Sequence, residues 1–92
     1  MSLDRVIHEP SRLKLVTLLY VVDEADFLYL SDQSGFSAGN LSSHMAKLEA
    51  AGYVEIEKEF VGKKPRTVYR LSAEGRRSFE AYRDTLAYML DL

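Results

Sequence analysis

Apolar residues recur along the chain with two different periods, which divide the sequence into helical and extended segments. From Ser11 to Val22 they follow helical spacing and cover roughly 200° of the circumference, about twice the stripe of a helix that packs on one side. Pro10 suits the first turn of this helix, where its missing N–H costs nothing. We therefore predict a helix covered on more than one side, either by its own domain or by a second chain.

An acidic connection and a short helix come next. Residues 23 to 26 contain three carboxylates, which we predict to form a solvated loop whose charge favours the following helix N-terminus. They make a poor metal site because no histidine or further carboxylate has ligand-like spacing. Residues 27 to 34 are predicted to be helical, with Leu28, Leu30 and Tyr29 inward, and Gly35 supplies the left-handed residue that ends such a helix.

A second short helix has the clearest pattern in the sequence. Ser37 is a favourable N-cap, and the predicted helix runs from Ala38 to Ala51. Leu41, Met45 and Leu48 follow at i, i+4 and i+7, so they share one face. The opposite face carries small and polar residues and no acid. Two short helices joined by a three-residue turn that contains glycine form a helix-turn-helix, whose second helix enters a DNA major groove.

The period changes to two after this helix. Between Tyr53 and Val61, the apolar residues Val54, Ile56 and Phe60 alternate with glutamates, which predicts a strand. A turn at residues 62 to 65 and a second strand at 67 to 71, with Tyr69 and Leu71 inward, complete a predicted β-hairpin. A final helix is predicted from the cap Ser72 to about Leu90, with an apolar stripe on one side.

Composition and charge narrow the class of protein. The chain has 92 residues, no cysteine and a net charge of −2, which predicts one soluble cytoplasmic domain over residues 1–92 and excludes thiolate metal sites and cysteine nucleophiles. No apolar run is long enough for a membrane span. The net charge weighs mildly against nucleic acid as a partner, but residues 62 to 77 hold six cations and one acid. This +5 segment is a local field that steers charged partners.

The order of elements and three local motifs resemble one group of proteins. The motifs are Pro10-Ser11-Arg12-Leu13, Asn40-Leu41-Ser42-Ser43-His44-Met45 with Leu48-Glu49-Ala50-Ala51-Gly52-Tyr53-Val54, and Leu71-Ser72-Ala73-Glu74-Gly75-Arg76. In this order they resemble the small stand-alone winged-helix transcriptional regulators of the MarR and ArsR type. The resemblance implies an α+β fold: a winged helix-turn-helix with a three-helix core, a two-stranded hairpin wing and a C-terminal dimerisation helix. Ser43 departs from the pattern, because many relatives carry a basic residue there.

The candidate DNA contacts lie on the second short helix and on the wing. Asn can pair bidentately with adenine, Ser can reach a base edge or a phosphate, and Lys and Arg neutralise phosphates. The candidates are Ser37, Gly39, Asn40, Ser42, Ser43, His44, Lys47, Lys63, Lys64 and Arg66. For His44, a partly buried structural role or a phosphate contact is favoured over base reading. Arg76 and Arg77 begin the last helix, where one could reach a phosphate and the other pair with an acid.

The terminal helix is too apolar for the small amount of domain that remains to cover it. We therefore predict a two-fold dimer contact that also involves the N-terminal segment and the first long helix. The candidate interface residues are Leu3, Val6, Ile7, Leu15, Leu19, Phe79, Tyr82, Leu86, Met89 and Leu90. The same stripe could border a small-molecule pocket, although no polar groups converge there.

These observations predict a homodimeric transcriptional regulator, by resemblance more often a repressor, with residues 38–51 in the major groove and the wing at 61–67 on the backbone or in the minor groove. Its operator would be a pseudo-palindromic double-stranded DNA, and no metal or other cofactor is expected. The alternative is a winged-helix protein-interaction module that does not bind DNA. An enzyme is disfavoured because no constellation of catalytic residues is present.

Overall fold

The structure, a computed structural model, describes residues 2 to 91. It contains four helices and three strands. They are α1 (Pro10–Val22), β1 (Glu24–Asp26), α2 (Phe27–Ser34), α3 (Ala38–Ala50), β2 (Val54–Val61), β3 (Lys64–Leu71) and α4 (Ala73–Met89). The strands form one antiparallel sheet in the order β1-β3-β2. This is the predicted α+β winged-helix architecture, with one strand more than expected.

A side-chain oxygen caps the N-terminus of each of the four helices. The carboxylates of Glu9 and Asp26 cap α1 and α2, and the hydroxyls of Ser37 and Ser72 cap α3 and α4. Each oxygen accepts from a backbone N–H of the first turn, which otherwise has no partner inside the helix. The predicted start of α3 at Ala38 and the predicted cap Ser72 of α4 are confirmed, and α3 ends one residue earlier than predicted.

The core lies between the helices and one side of the sheet. It is formed by fully buried apolar residues of α1, α2 and α3, closed by strand residues and by the first half of α4. The buried members are Ile7, Leu15, Val16, Leu19, Ala25, Leu30, Leu41, Met45, Leu48, Val54, Tyr69, Leu71, Phe79 and Tyr82. The i, i+4, i+7 triad of α3 is therefore buried as predicted.

Three expectations about local structure were wrong. The acidic connection is in part a strand, because Glu24 to Asp26 pair with Val68 to Arg70 of β3. Leu28 and Tyr29 point away from the core, since α2 buries only Leu30 and Ser34. The turn of the hairpin is shorter than predicted, with Val61 opposite Lys64, so that β3 begins three residues earlier.

The N-terminal segment packs onto the domain. The Asp4 carboxylate accepts hydrogen bonds from Tyr53 Oη and from two backbone N–H groups of the segment. The bond to Asp4 and partial burial raise the pKa of the Tyr53 hydroxyl. His8 Nδ1 lies 2.8 Å from Tyr82 Oη on α4, and Ile7 is completely buried.

This burial corrects part of the predicted dimer interface. Ile7, Leu15 and Leu19 expose no surface in the isolated chain, so they have nothing to offer a partner. Leu3, Val6 and Leu86 are half-buried, whereas Met89 and Leu90 are exposed. Phe79 and Tyr82 are mostly buried and form part of the wall of a groove between α1 and α4.

Candidate nucleic-acid interface

The outward face of α3 is a smooth polar surface. Leu41, Met45 and Leu48 hold the other face of the helix in the core. The predicted contact residues Ser37, Gly39, Asn40, Ser42, Ser43 and Lys47 are all exposed. Because Ser37 Oγ accepts from the Asn40 backbone N–H at 3.2 Å, its hydroxyl is already used as the cap. The helix therefore presents small side chains, one amide and one lysine, with no carboxylate until Glu49.

The turn between α2 and α3 is held by a residue that the sequence did not single out. Lys14 of α1 donates from Nζ to the Ser34 carbonyl oxygen at 2.8 Å, and the same Nζ lies 5.5 Å from the centre of the Phe36 ring. A cation at a helix C-terminus satisfies carbonyls that have no partner inside the helix. Gly35, at φ 74°, makes the left-handed turn that follows. Lys14 thus stabilises the turn that sets the direction of α3 relative to α2.

His44 lies on the side of α3 that faces the start of α1. Its Nδ1 is 3.4 Å from Arg12 Nη1 and 3.7 Å from Glu9 Oε2, and its ring lies beside Phe36. The side chain is half-buried, so this position favours the structural interpretation over base reading. Partial burial of Glu9 opposes its ionisation, but backbone N–H donors from Arg12 and Ser11, together with the nearby His44 and Arg12, lower its pKa overall.

The wing is a long hairpin with a two-residue turn, Gly62-Lys63, between the paired Val61 and Lys64. Gly62 has φ 65°, a conformation that glycine adopts without steric cost. Lys63 and Lys64 are exposed, and neither forms an ion pair with any of residues 2 to 91. The tip of the wing is therefore positively charged.

Most of the other cations of the +5 segment are neutralised by acids. Arg66 Nη1 lies 2.6 Å from Glu59 Oε1, and Arg66 Nε lies 3.4 Å from Asp26 Oδ2. The hydrogen bond to Glu59 raises the Arg66 pKa above its ordinary value. Arg70 contacts Glu57 at 3.2 Å and Glu24 at 3.4 Å.

Arg76 behaves in the same way at the start of α4. It contacts Asp23 at 2.8 Å and lies over the Tyr20 ring. Of the six cations predicted to create a strong local charge over residues 62 to 77, only Lys63, Lys64 and Arg77 therefore form no ion pair with any of residues 2 to 91. One further exposed cation, Lys58 on β2, was not predicted, although the alternation of the strand already places it opposite the glutamates.

Comparison with known proteins identifies the family. Residues 11–90 match the family model described as "Winged helix DNA-binding domain", and the chain belongs to this family. An uncharacterized protein of Methanocaldococcus jannaschii is 31% identical over 78 residues, which are 85% of each chain.

Solved structures agree with this assignment. A transcriptional regulator homologue from Pyrococcus horikoshii superposes with a TM-score of 0.89 at 26% identity, over 96% of this chain and 87% of that one. A PadR family transcriptional regulator from Eggerthella lenta gives 0.70 at 27% identity, over 92% and 82%. NadR in complex with 4-hydroxyphenylacetate gives 0.78 at 23% identity, over 95% and 61%, and so supports the fold alone.

The chain is thus a winged-helix protein of the DNA-binding transcriptional regulator class, and its family and structural relatives are regulators rather than enzymes. One of these relatives is a PadR family regulator, and the resemblance to MarR and ArsR-type regulators stays a prediction. Within residues 2 to 91, no helix has the length and apolar character needed to cross a membrane.

Proposed function

We propose that the chain is a cytoplasmic homodimeric repressor that places α3 of each subunit in successive major grooves of a pseudo-palindromic operator. One observation carries this proposal: the exposed face of α3 is free of carboxylates over its first eleven residues, and it belongs to the same chain as a wing whose tip is a pair of unpaired lysines. An acid-free helix face and a basic hairpin suit a polyanion with a groove.

The surface formed by α1 and α4 supports the proposal of a second subunit. A groove of about 290 Å³ lies there, lined mostly by apolar residues including Leu13, Phe79, Leu86 and Leu90. The last turn of α4 also exposes Tyr88, Met89 and Leu90. We propose that this surface is covered by a second copy of the chain, and that an effector of small apolar character would act by competing for the same groove.

Selection from a pool of random DNA duplexes tests the proposal. We expect enrichment of two related half-sites separated by about 10 bp or a multiple of it. Lys47, Lys63 and Lys64 form no ion pair with any of residues 2 to 91, and together they give six phosphate contacts in a dimer. The logarithm of the binding constant should then fall with the logarithm of the salt concentration at a slope of about −5.

The wing lysines provide the matched variants. Substitution of both Lys63 and Lys64 by alanine removes four of those contacts, so the slope should weaken to about −2. The Lys63→Arg/Lys64→Arg variant keeps the charge and should keep the slope. An unenriched pool, together with no detectable binding to any duplex, would contradict DNA binding and favour a protein-interaction module.

A further inference from the structure

The two sides of the wing differ in chemistry. The outer side, away from the helices, carries Glu55, Glu57 and Glu59, with Arg66 and Arg70 in ion pairs. The other side begins with Val54 and Ile56, which contribute to the core. Because side chains alternate along a strand, the residues that continue this second side toward the tip are Lys58, Phe60, Pro65 and Thr67.

The second side contains an exposed aromatic ring and no acid. Phe60 pairs with Pro65 across the hairpin, beyond the end of the packed core, and 74% of its surface is exposed. Lys58 precedes it on the same side, and Lys63 follows at the tip. Large exposed apolar side chains rimmed by polar ones mark contact surfaces, and the surrounding cations point to a partner with negative charge and apolar walls.

We propose that Phe60, supported by Pro65, is the apolar contact between the wing and the minor groove of duplex DNA. This inference rests on the proposed DNA-binding function. The walls of the groove are deoxyriboses bordered by phosphates, so an aromatic ring meets the sugars while Lys63 and Lys64 at the tip meet the phosphates. Arg66 is held by Glu59 and Asp26 on the opposite side of the hairpin, which leaves Phe60 as the bulky side chain available to the groove.

Three variants at two exposed apolar positions make the test sharp. Phe60→Ala removes the ring, Phe60→Leu keeps an apolar side chain, and Val21→Ala changes a residue on α1 that is equally exposed, at 73%. All three should fold and melt like the wild type because none is in the core. The probe is the duplex enriched by the wild-type protein from the random pool.

We expect Phe60→Ala to weaken binding to this duplex at least about tenfold, the effect of losing one buried aromatic side chain. Its salt slope should equal that of the wild type, because no charge is lost. Phe60→Leu should retain most of the affinity, and Val21→Ala all of it. This separates Phe60 from the wing lysines, whose replacement changes the slope.

Hydroxyl-radical footprinting supplies a second readout, because these radicals attack the sugars that line the minor groove. The wild type should protect sugars beside each half-site, and Phe60→Ala should lose that protection. Methylation by dimethyl sulfate should show that guanine N7 atoms under α3 stay protected in the major groove. Unchanged affinity and footprint in Phe60→Ala would overturn the inference and leave the proposed DNA binding intact. A wild type that enriches no duplex would instead overturn the proposed function itself.

Discussion

At the scale of single residues, two glycines in helices have opposite surroundings. Gly75, in the first turn of α4, lies against the start of β2, and a Cβ built there would be 2.0 Å from the Tyr53 carbonyl oxygen. Gly39, in the first turn of α3, has nothing within 4 Å of the same position. Gly75 is therefore required by the close approach of α4 to the sheet. Gly39 meets no such constraint, and it leaves the outer face of α3 without a side chain at this position.

Alanine at each position should separate these roles. Gly75→Ala should lower the free energy of unfolding by about 2 kcal/mol or more, since backbone must move to make room. Gly39→Ala should leave it unchanged or raise it by up to about 1 kcal/mol, because alanine is the better helix former. Urea denaturation followed by circular dichroism measures both, and equal midpoints for the two variants would contradict this account.

At the scale of elements, the start of α1 connects the N-terminal segment to α3. Arg12 Nε donates to the Val6 carbonyl oxygen at 2.6 Å, and Arg12 Nη1 reaches His44. Glu9 accepts from the backbone N–H groups of Ser11 and Arg12 at 3.1 and 2.8 Å while it lies beside the same histidine. One capping carboxylate thus stabilises α1 and borders the proposed recognition helix.

The lowered pKa of Glu9 predicts how its contribution depends on pH. Because the folded protein favours the ionised carboxylate, the stabilisation is complete above the ordinary pKa of 4.5 and is lost as the pH falls through the lower folded value. Wild type should be more stable than Glu9→Gln at neutral pH, and the difference should shrink below pH 4.5. Thermal melts between pH 3 and pH 7 measure this stability difference. At neutral pH it should be of the size that one N-cap side chain contributes.

The same comparison in a His44→Gln background removes the neighbouring imidazole. The difference between glutamate and glutamine should still shrink in acid, since the backbone donors remain. If the stability difference between glutamate and glutamine does not change with pH in either background, the ionised and the neutral Glu9 side chain cap α1 equally well.

The elements also show how far the sequence leads. The bounds of α2 and the starts of α3 and α4 could be predicted because their caps and glycines are local signals. β1 could not, since three residues rich in carboxylates have low strand propensity, and they extend only because β3 lies beside them. Similarly, the sequence placed Arg66 at the wing but not its partners, because Asp26 lies 40 residues away in the chain.

At the scale of the whole molecule, paired and unpaired charges lie on different surfaces. The outer side of the sheet is occupied by ion pairs, the unpaired lysines lie on α3 and at the tip of the wing, and the exposed apolar turn lies at the end of α4. The net charge of −2 therefore describes none of these surfaces. Segregation of this kind lets an acidic protein approach DNA from one direction only.

The dimer prediction belongs to this scale. Leu90 is 58% exposed at the end of α4, so Leu90→Glu should fold normally yet place a carboxylate in the proposed interface. In sedimentation velocity at micromolar concentration, the wild type and the matched variant Leu28→Glu should be dimers, because Leu28 on α2 is 78% exposed and lies outside the α1/α4 groove. Leu90→Glu should be a monomer. A monomeric wild type would contradict the proposed interface.

The short length of β1 has a consequence for behaviour at high concentration. β1 ends at Asp26 opposite Val68, so the outer edge of β3 is open from Lys64 to Thr67. This edge belongs to the wing, which also exposes Phe60 and Val61. An open edge beside apolar residues is a template for strand pairing between molecules and for aggregation. Pro65 lies in this stretch, followed by the charged Arg66, and proline is found within sheets mainly where an edge is open. The wing thus carries its own protection against polymerisation.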